Sequence, residues 1–229
     1  MLAVSALEGW APGVDDDDVL DLIDRDASSR LIRLGVLESI PPDAVRQPRP
    51  GILTRRIPYY RRGTRVLENS LGITSARPLA RAEALLVIAA GARLLREPGP
   101  APTTVSGIHA ALFGDVYAWA GLPRIVDLSK QGSVFATADR VPDLVAPLER
   151  PVEFVAGALD SARATAPRRA TIALALADWY ARYNHVHPFR EGNGRAAAVA
   201  ALLAARAHGA DLDFTRTSRE TWVQAAVSS

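Results

Sequence analysis

The residues from His187 to Arg195, HPFREGNGR, bring together groups that rarely share so short a stretch. His187 is the group there that exchanges a proton near neutral pH. Gly192, Asn193 and Gly194 allow backbone N–H groups to converge where a helix begins, and such a nest binds anions, phosphate foremost. Arg195 puts a fixed positive charge in the first helical turn, where it opposes the helix dipole unless an anion offsets it. Glu191 adds a carboxylate oxygen beside the same spot, the donor that Mg²⁺ takes. A proton acceptor, a metal ligand, a phosphate cradle and an arginine in one loop describe phosphoryl or nucleotidyl transfer. A lone GNG triplet would mean only a glycine-rich turn between helices; the full set outweighs that reading.

Such a loop needs a helix on either side. Pro167 to Val186 reads as one, with Ile172, Leu176, Trp179 and Tyr183 on a single face. Gly194 to His208 reads as the next, closed by Gly209. Upstream, Leu79, Glu83, Leu86, Ala90 and Leu94 recur at helical spacing, from an N-cap at Thr74 to the breakers Pro98 and Gly99. Thr103 or Thr104 opens a helix through Ile108 to Phe113, ended by Gly114. Val14 to Asp26 is a short helix with aspartates in its first turn. Thr217 with Glu220 forms a capping box for a last helix packed down by Trp222 and Val223. Arg124 to Phe135 departs from this pattern. Ile125, Val126 and Leu128, a turn at Gln131 and Gly132, then Val134 and Phe135 suggest a small β-hairpin. Tyr117, Trp119 and Phe135 are expected in the core rather than at a site. The fold class is all-α: a helical bundle with one β-hairpin and an N-terminal helical extension.

At 229 residues, 48% hydrophobic and 23% charged, the chain is long and apolar enough for a real core, which excludes wholesale disorder. The absence of cysteine excludes disulfide scaffolds, thiolate metal sites and a Cys nucleophile. No apolar run approaches the roughly 20 residues of a membrane helix. The N-terminus runs into Asp15 to Asp18 without a basic start, so a cytoplasmic protein with no membrane partner is expected. A net charge of +2 hides an asymmetry: residues 1–45 are acidic, and RQPRPGILTRRIPYYRRGTR, from Arg46 to Arg65, is purely basic. Tyr59 and Tyr60 among those arginines would suit a nucleic-acid arm. Pro48, Pro50 and Pro58, and the acid in the same chain, favour a stiff linker instead, with no direct nucleic-acid binding. The expected division is a helical segment over 1–45, a linker over 46–58 and the main domain over 59–229.

HPFREGNGR resembles the signature of the Fic family, His-x-Phe-x-(Asp/Glu)-Gly-Asn-Gly-Arg-x-x-Arg. FGDVYAWAG, from Phe113 to Gly121, is similar to the family's segment before its target-docking flap, RIVDLSKQGSVFA to the flap itself, and LENSLGI, from Leu67 to Ile73, to its usual opening. The resemblance spans roughly Tyr59 to Trp222 and implies the Fic fold. It implies an enzyme that transfers AMP from ATP to a Ser, Thr or Tyr hydroxyl of a target protein. In that scheme His187 is the general base and Glu191 holds Mg²⁺ between the α- and β-phosphates. The nucleotide-binding set is Phe189, Gly192, Asn193, Gly194 and Arg195, with Phe189 a buried anchor for the loop and Arg195 on the phosphates. The flap, comprising Ile125, Val126, Asp127, Leu128, Ser129, Lys130, Gln131, Gly132, Ser133, Val134 and Phe135, would dock the target backbone by strand addition. Bacterial relatives suggest a topoisomerase subunit such as gyrase as the target.

The signature's final arginine falls at Ala198, within Ala196-Ala197-Ala198. In the family that arginine grips the γ-phosphate, a contact of roughly 1.5–3 kcal/mol. Its replacement leaves open a different nucleotide donor, such as UTP or a CDP-linked alcohol, or a non-catalytic Fic domain that works as a binding module. At the other end, SALEG from Ser5 to Gly9 resembles the family's inhibitory motif, (Ser/Thr)-x-x-x-Glu-(Gly/Asn), although Ser5 stands three rather than four residues before Glu8. The residues that follow resemble a small helical antitoxin, here fused ahead of the Fic domain. The resemblance therefore implies a bacterial toxin-type transferase, inhibited in cis by Glu8.

Overall fold

The computed structural model describes residues 16–24, 29–45, 57–96, 101–130, 133–162, 166–218, 220–221 and 224. Glu8 and the SALEG motif, residues 46–56 of the linker, Pro98 and Gly99, the hairpin turn Gln131-Gly132, and Trp222 with Val223 lie outside the described residues. Among those described, eight α-helices surround one two-stranded hairpin: α1 Asp17–Asp24, α2 Ser29–Glu38, α3 Ala76–Arg96, α4 Val105–Phe113, β1 Ser129–Lys130, β2 Ser133–Val134, α5 Val141–Val145, α6 Pro151–Ser161, α7 Arg168–Val186 and α8 Asn193–Ala207. The all-α expectation holds. Among the described residues no helix is long and apolar enough to cross a membrane.

The middle of the molecule is α8. Its Ala196, Ala197, Ala200, Ala204 and Ala205 are fully buried, and their small side chains let α4, α6 and α7 approach it closely. Trp179 of α7 is also fully buried and donates from Nε1 to the Leu148 carbonyl at 2.9 Å, which satisfies its one polar atom. Thr104 caps α4 as expected, its hydroxyl accepting from Gly107 N–H at 3.0 Å. Two other caps fall one residue later than the sequence suggests. Helix α3 starts at Ala76, and Thr74 instead binds the Ala44 carbonyl through both its N–H (2.7 Å) and its hydroxyl (2.9 Å). Ser218, not Thr217, accepts from Thr221 N–H at 3.2 Å.

Helices α2, α5 and α6 were not anticipated. Pro142 and Pro151 each sit in the first turn of their helix, where a missing N–H costs nothing. In α2, Gly35 faces α1. A Cβ there would meet Leu22 Cδ1 at 3.2 Å, so the glycine permits the close packing of α1 on α2.

Residues 16–45 share a continuous core with the rest of the molecule. Val19, Ile23, Ile32, Val36, Ile40 and Ala44 are buried in the same apolar cluster as α3, α4, α7 and α8. Polar contacts fix this arrangement: Asp16 to Arg81 of α3 at 2.5 Å, Arg33 to Asp115 at 3.0 Å, and Arg96 to the Ile23 carbonyl at 3.1 Å.

Candidate active site

Helix α7 ends at Val186, and His187 caps it in the left-handed conformation at φ 48°. For a β-substituted residue that backbone is strained, and the surroundings over-determine it. His187 N–H returns to the Tyr183 carbonyl at 2.8 Å, and Arg124 Nε donates to the His187 carbonyl at 2.8 Å. Arg124 is fully buried and spreads its guanidinium over four carbonyls: His187, Val126 at 2.7 Å, Val186 at 3.2 Å, and Ala136. A cation at the carbonyl end of α7 is favourable. It also ties the root of the hairpin to the residue that carries the imidazole.

That clamp explains why the hairpin is narrower than expected. Val126 and Ala136 spend their carbonyls on Arg124, and Asp127 Oδ1 accepts Ala138 N–H at 2.7 Å. The ladder is confined to Ser129–Val134 and Lys130–Ser133, leaving Ile125, Val126, Leu128 and Phe135 outside the strands. Ile125 and Val134 stay 73% and 76% exposed. Phe135 is not core. It is half-exposed and stacks on the His187 ring at 3.9 Å and 15° between planes.

Between α7 and α8 the loop is closed by one side chain. Asn193 Oδ1 accepts from Phe189 N–H at 2.9 Å, and Asn193 Nδ2 donates to the Phe189 carbonyl at 2.7 Å. Phe189 is wholly buried and stacks on His109 at 3.9 Å, and His109 stacks in turn on Phe113 at 4.6 Å. Burial lowers the His109 pKa to about 4, against a smaller opposing effect of its bond to the Glu191 carbonyl and with a little help from the Arg195 charge. His109 is therefore neutral at pH 7: Nε2–H donates to the Glu191 carbonyl at 2.9 Å, and Nδ1 accepts from Gly121 N–H at 2.9 Å. Gly192 has no alternative. Its φ is 80°, and a Cβ would sit 2.2 Å from the Phe113 ring.

Helix α8 begins at Asn193, one residue earlier than expected, with Gly192 as its N-cap. Gly194 and Arg195 lie in its first turn, and Glu191 is half-exposed just before it, Oε1 accepting from Gly192 N–H at 3.1 Å. Arg195 does not oppose the dipole uncompensated. Its Nη2 lies 2.5 Å from Glu83 Oε1 and 3.6 Å from Glu191 Oε1, and its guanidinium covers the Phe113 ring at 4.8 Å. Glu83, from the middle of α3, is buried and also accepts from the Tyr117 hydroxyl. Burial first, and Glu83 second, push the Tyr117 phenol far above its ordinary range, so it stays a donor.

Glu83, Arg124 and His109 were not recognised as part of the site. Glu83 carried a signal, a carboxylate on the apolar stripe of α3; Arg124 and His109 gave none in the sequence. Ala198 is 1% exposed and packs with Leu202 among Leu95, Leu212 and Phe214. The position of the signature's last arginine is thus surrounded by apolar side chains. Among the described residues no three His, Asp or Glu side chains gather as a metal site. Glu191 is a single carboxylate beside a helix N-terminus, a donor set that fits Mg²⁺ only together with phosphate oxygens.

The profile of the Fic/DOC family matches residues 101–205. The chain is 32% identical over 185 residues to the protein adenylyltransferase VbhT of Bartonella schoenbuchensis, covering 75% of this chain but only 35% of that protein. It is 30% identical over 173 residues to the probable protein adenylyltransferase Fic of Salmonella typhimurium, covering 74% of this chain and 82% of that one. In fold it is similar to the BepC protein of Bartonella tribocorum crystallised with AMPPNP, with a TM-score of 0.63 at 23% identity over 74% of this chain and 87% of that one.

Proposed function

The chain belongs to the Fic/DOC family, and from that premise we propose that it is a protein adenylyltransferase moving AMP from ATP to a hydroxyl of a target protein. The observation that carries this reading is the loop closed by Asn193, which sets the proton acceptor His187 at one end and the N-terminus of α8 with Arg195 at the other. The target hydroxyl oxygen attacks the α-phosphorus of ATP, the bond to pyrophosphate breaks, and the hydroxyl proton passes to an imidazole nitrogen of His187. Arg124, which binds the His187 carbonyl, and Phe135, stacked on its ring, hold the imidazole in place. The first turn of α8 and Arg195 take the phosphates, and Glu191 holds Mg²⁺ with them. Bound there, the cation offsets phosphate charge. The target backbone lies along the exposed hairpin edge between Ile125 and Val134.

Labelled ATP incubated with the protein and a bacterial lysate tests the assignment. Transfer should fall about 10²–10⁴-fold in His187→Ala. Equal labelling by wild type and His187→Ala would overturn it.

A specific observation favours one variant of this reading. Ala198 lies in an apolar cluster, so the side of the site that would hold a terminal phosphate lacks an arginine. A donor with no γ-phosphate, such as a CDP-linked alcohol, suits that surface, and competition of CDP-alcohols against the triphosphates ATP and UTP for labelling separates the two.

Inhibition in cis by Glu8 is part of the proposal. Asp16 is docked on Arg81, two residues from Glu83 on α3. The eight peptide steps from Glu8 to Asp16 span up to about 28 Å when extended. The tether keeps the segment at millimolar effective concentration. Glu8→Gly should raise auto-modification at saturating nucleotide; equal rates would remove this element and leave the transferase assignment standing.

A further inference from the structure

The turn from Ile57 to Arg65 encloses an open cavity of about 260 Å³, lined by Ile57, Tyr60, Thr64 and the arginines Arg61, Arg62 and Arg65. Among the described residues no carboxylate lies within ion-pair distance of those three arginines. Arg61 Nε is buried and meets no acceptor among them. A fourth cation closes the cluster: Arg190, from the HPFREGNGR loop, donates to the Tyr60 hydroxyl at 2.5 Å and lies 5.2 Å over its ring. Tyr59 turns the other way, with φ 68°, and its hydroxyl accepts from Ile125 N–H at 2.9 Å at the hairpin root. The turn that lines the cavity is thus tied by Tyr60 to the loop that carries His187 and by Tyr59 to the root of the hairpin.

Four arginines gathered with no carboxylate in ion-pair range among the described residues repel one another, and this arrangement favours an anionic occupant. We propose that the cavity binds an acidic segment of the modified protein, flanking its acceptor hydroxyl. The inference rests on the proposed function for the identity of the occupant, because the turn that lines the cavity is bonded both to the hairpin root and to the loop of His187. Exposed Ile57, at the cavity, and Ile125, beside it, would seat the apolar side chains between the acidic ones. A nucleic acid fits less well. Single strands need open aromatic faces for stacking, whereas Tyr59 is engaged edge-on by Trp119 at 5.4 Å and Tyr60 is covered by Arg190.

The experiment is fluorescence anisotropy on the full chain with three labelled probes: a short glutamate-rich peptide, its glutamine counterpart, and a single-stranded oligothymidine of matched length. The glutamate peptide should bind in a salt-sensitive way and the glutamine peptide should not. Arg61→Gln with Arg65→Gln should weaken the glutamate peptide by about tenfold or more. Arg168→Gln with Arg169→Gln, the same charge change at the exposed start of α7, should leave it unchanged. If the double cavity variant melts early, the exposed Arg62→Gln alone gives a smaller loss in the same direction. Equal affinity in wild type and cavity variants, equal loss in the α7 control, or tighter binding of oligothymidine than of the peptide would each overturn the proposal. His187→Ala should bind the peptide as wild type does, so failure of the transferase reading and failure of the cavity reading are distinguishable.

Discussion

Glu83→Gln isolates one charge in the site. The pair it breaks is nearly dry: the side chains of Arg195 and Glu83 are 11% and 10% exposed. Glutamine keeps the shape but only one acceptor oxygen: with that oxygen toward Arg195, its NH2 faces the Tyr117 oxygen, and the bond there must run from the amide to the phenol. One charge-assisted bond becomes an ordinary one and the other reverses direction, which costs about 1–3 kcal/mol of stability. Phosphate binding moves the other way. A carboxylate and a phosphate that grip opposite edges of one guanidinium sit about 6 Å apart, and at an effective dielectric of about 20 they repel by about 3 kcal/mol. Screening at the open side removes about half of that, leaving about tenfold in affinity. The assay is titration calorimetry with ATP and with adenosine, alongside thermal melting. ATP should bind Glu83→Gln about tenfold more tightly, adenosine equally, and the melting temperature should fall. Unchanged or weaker ATP binding would refute the reasoning and make Glu83 a residue that orients Arg195 rather than one that competes for it.

Arg124→Lys keeps the charge but cannot reach four carbonyls, so kcat for transfer should drop about tenfold or more with little change in KM for nucleotide; steady-state kinetics check this, and an unchanged kcat would show that the clamp does not position His187. The His109 pKa is lowered from 6.5 to about 4 in the folded protein, so the unfolded chain takes up the proton first. Stability is intact above pH 6.5 and is lost as pH falls toward 4, by about 3 kcal/mol in total, a loss that His109→Gln should lack in denaturant titrations at successive pH values. Ala198→Arg should lower stability by about 1–3 kcal/mol, because the new side chain must enter the cluster of Leu202, Leu95, Leu212 and Phe214; an unchanged melting temperature would show that the side chain escapes to solvent. Asn193→Ala removes both bonds to Phe189 and should cost about 2 kcal/mol together with most of the transfer activity, read by melting and by labelling.

What the sequence made legible follows from how far each contact reaches. Helices α3, α4, α7 and α8 showed because each carries a long apolar stripe, and the loop before α8 showed because its chemistry is contiguous from His187 to Arg195. Arg195 meets Glu83 across 112 residues and Arg124 meets the His187 carbonyl across 63. No local pattern predicts such a pairing. The hairpin was over-read for a related reason: alternation at Ile125, Val126 and Leu128 gives a strand, but the Arg124 clamp takes the Val126 carbonyl that the next rung of the ladder needs. The basic run was read as linker from composition alone. Its last part, Ile57 to Arg65, folds back on itself because Glu68 N–H bonds the Tyr59 carbonyl at 2.8 Å and Arg61 N–H the Val66 carbonyl at 2.9 Å.

The continuous core that joins the described residues of 16–45 to the rest of the bundle bears on how this molecule could be switched. A separate inhibitor chain is governed by dosage: synthesis and degradation set its ratio to the enzyme, and dilution releases it. Here the two halves are made in equal number and Val19, Ile23, Ile32 and Val36 are interior residues of the whole. Proteolytic trimming of that half would leave α3 with an uncovered apolar face, so the product would be a damaged fold rather than a liberated domain. Hydrogen exchange should show α2 and α3 opening together, as a single cooperative unit. If Glu8 inhibits as proposed, release would have to leave residues 16–45 in place on α3.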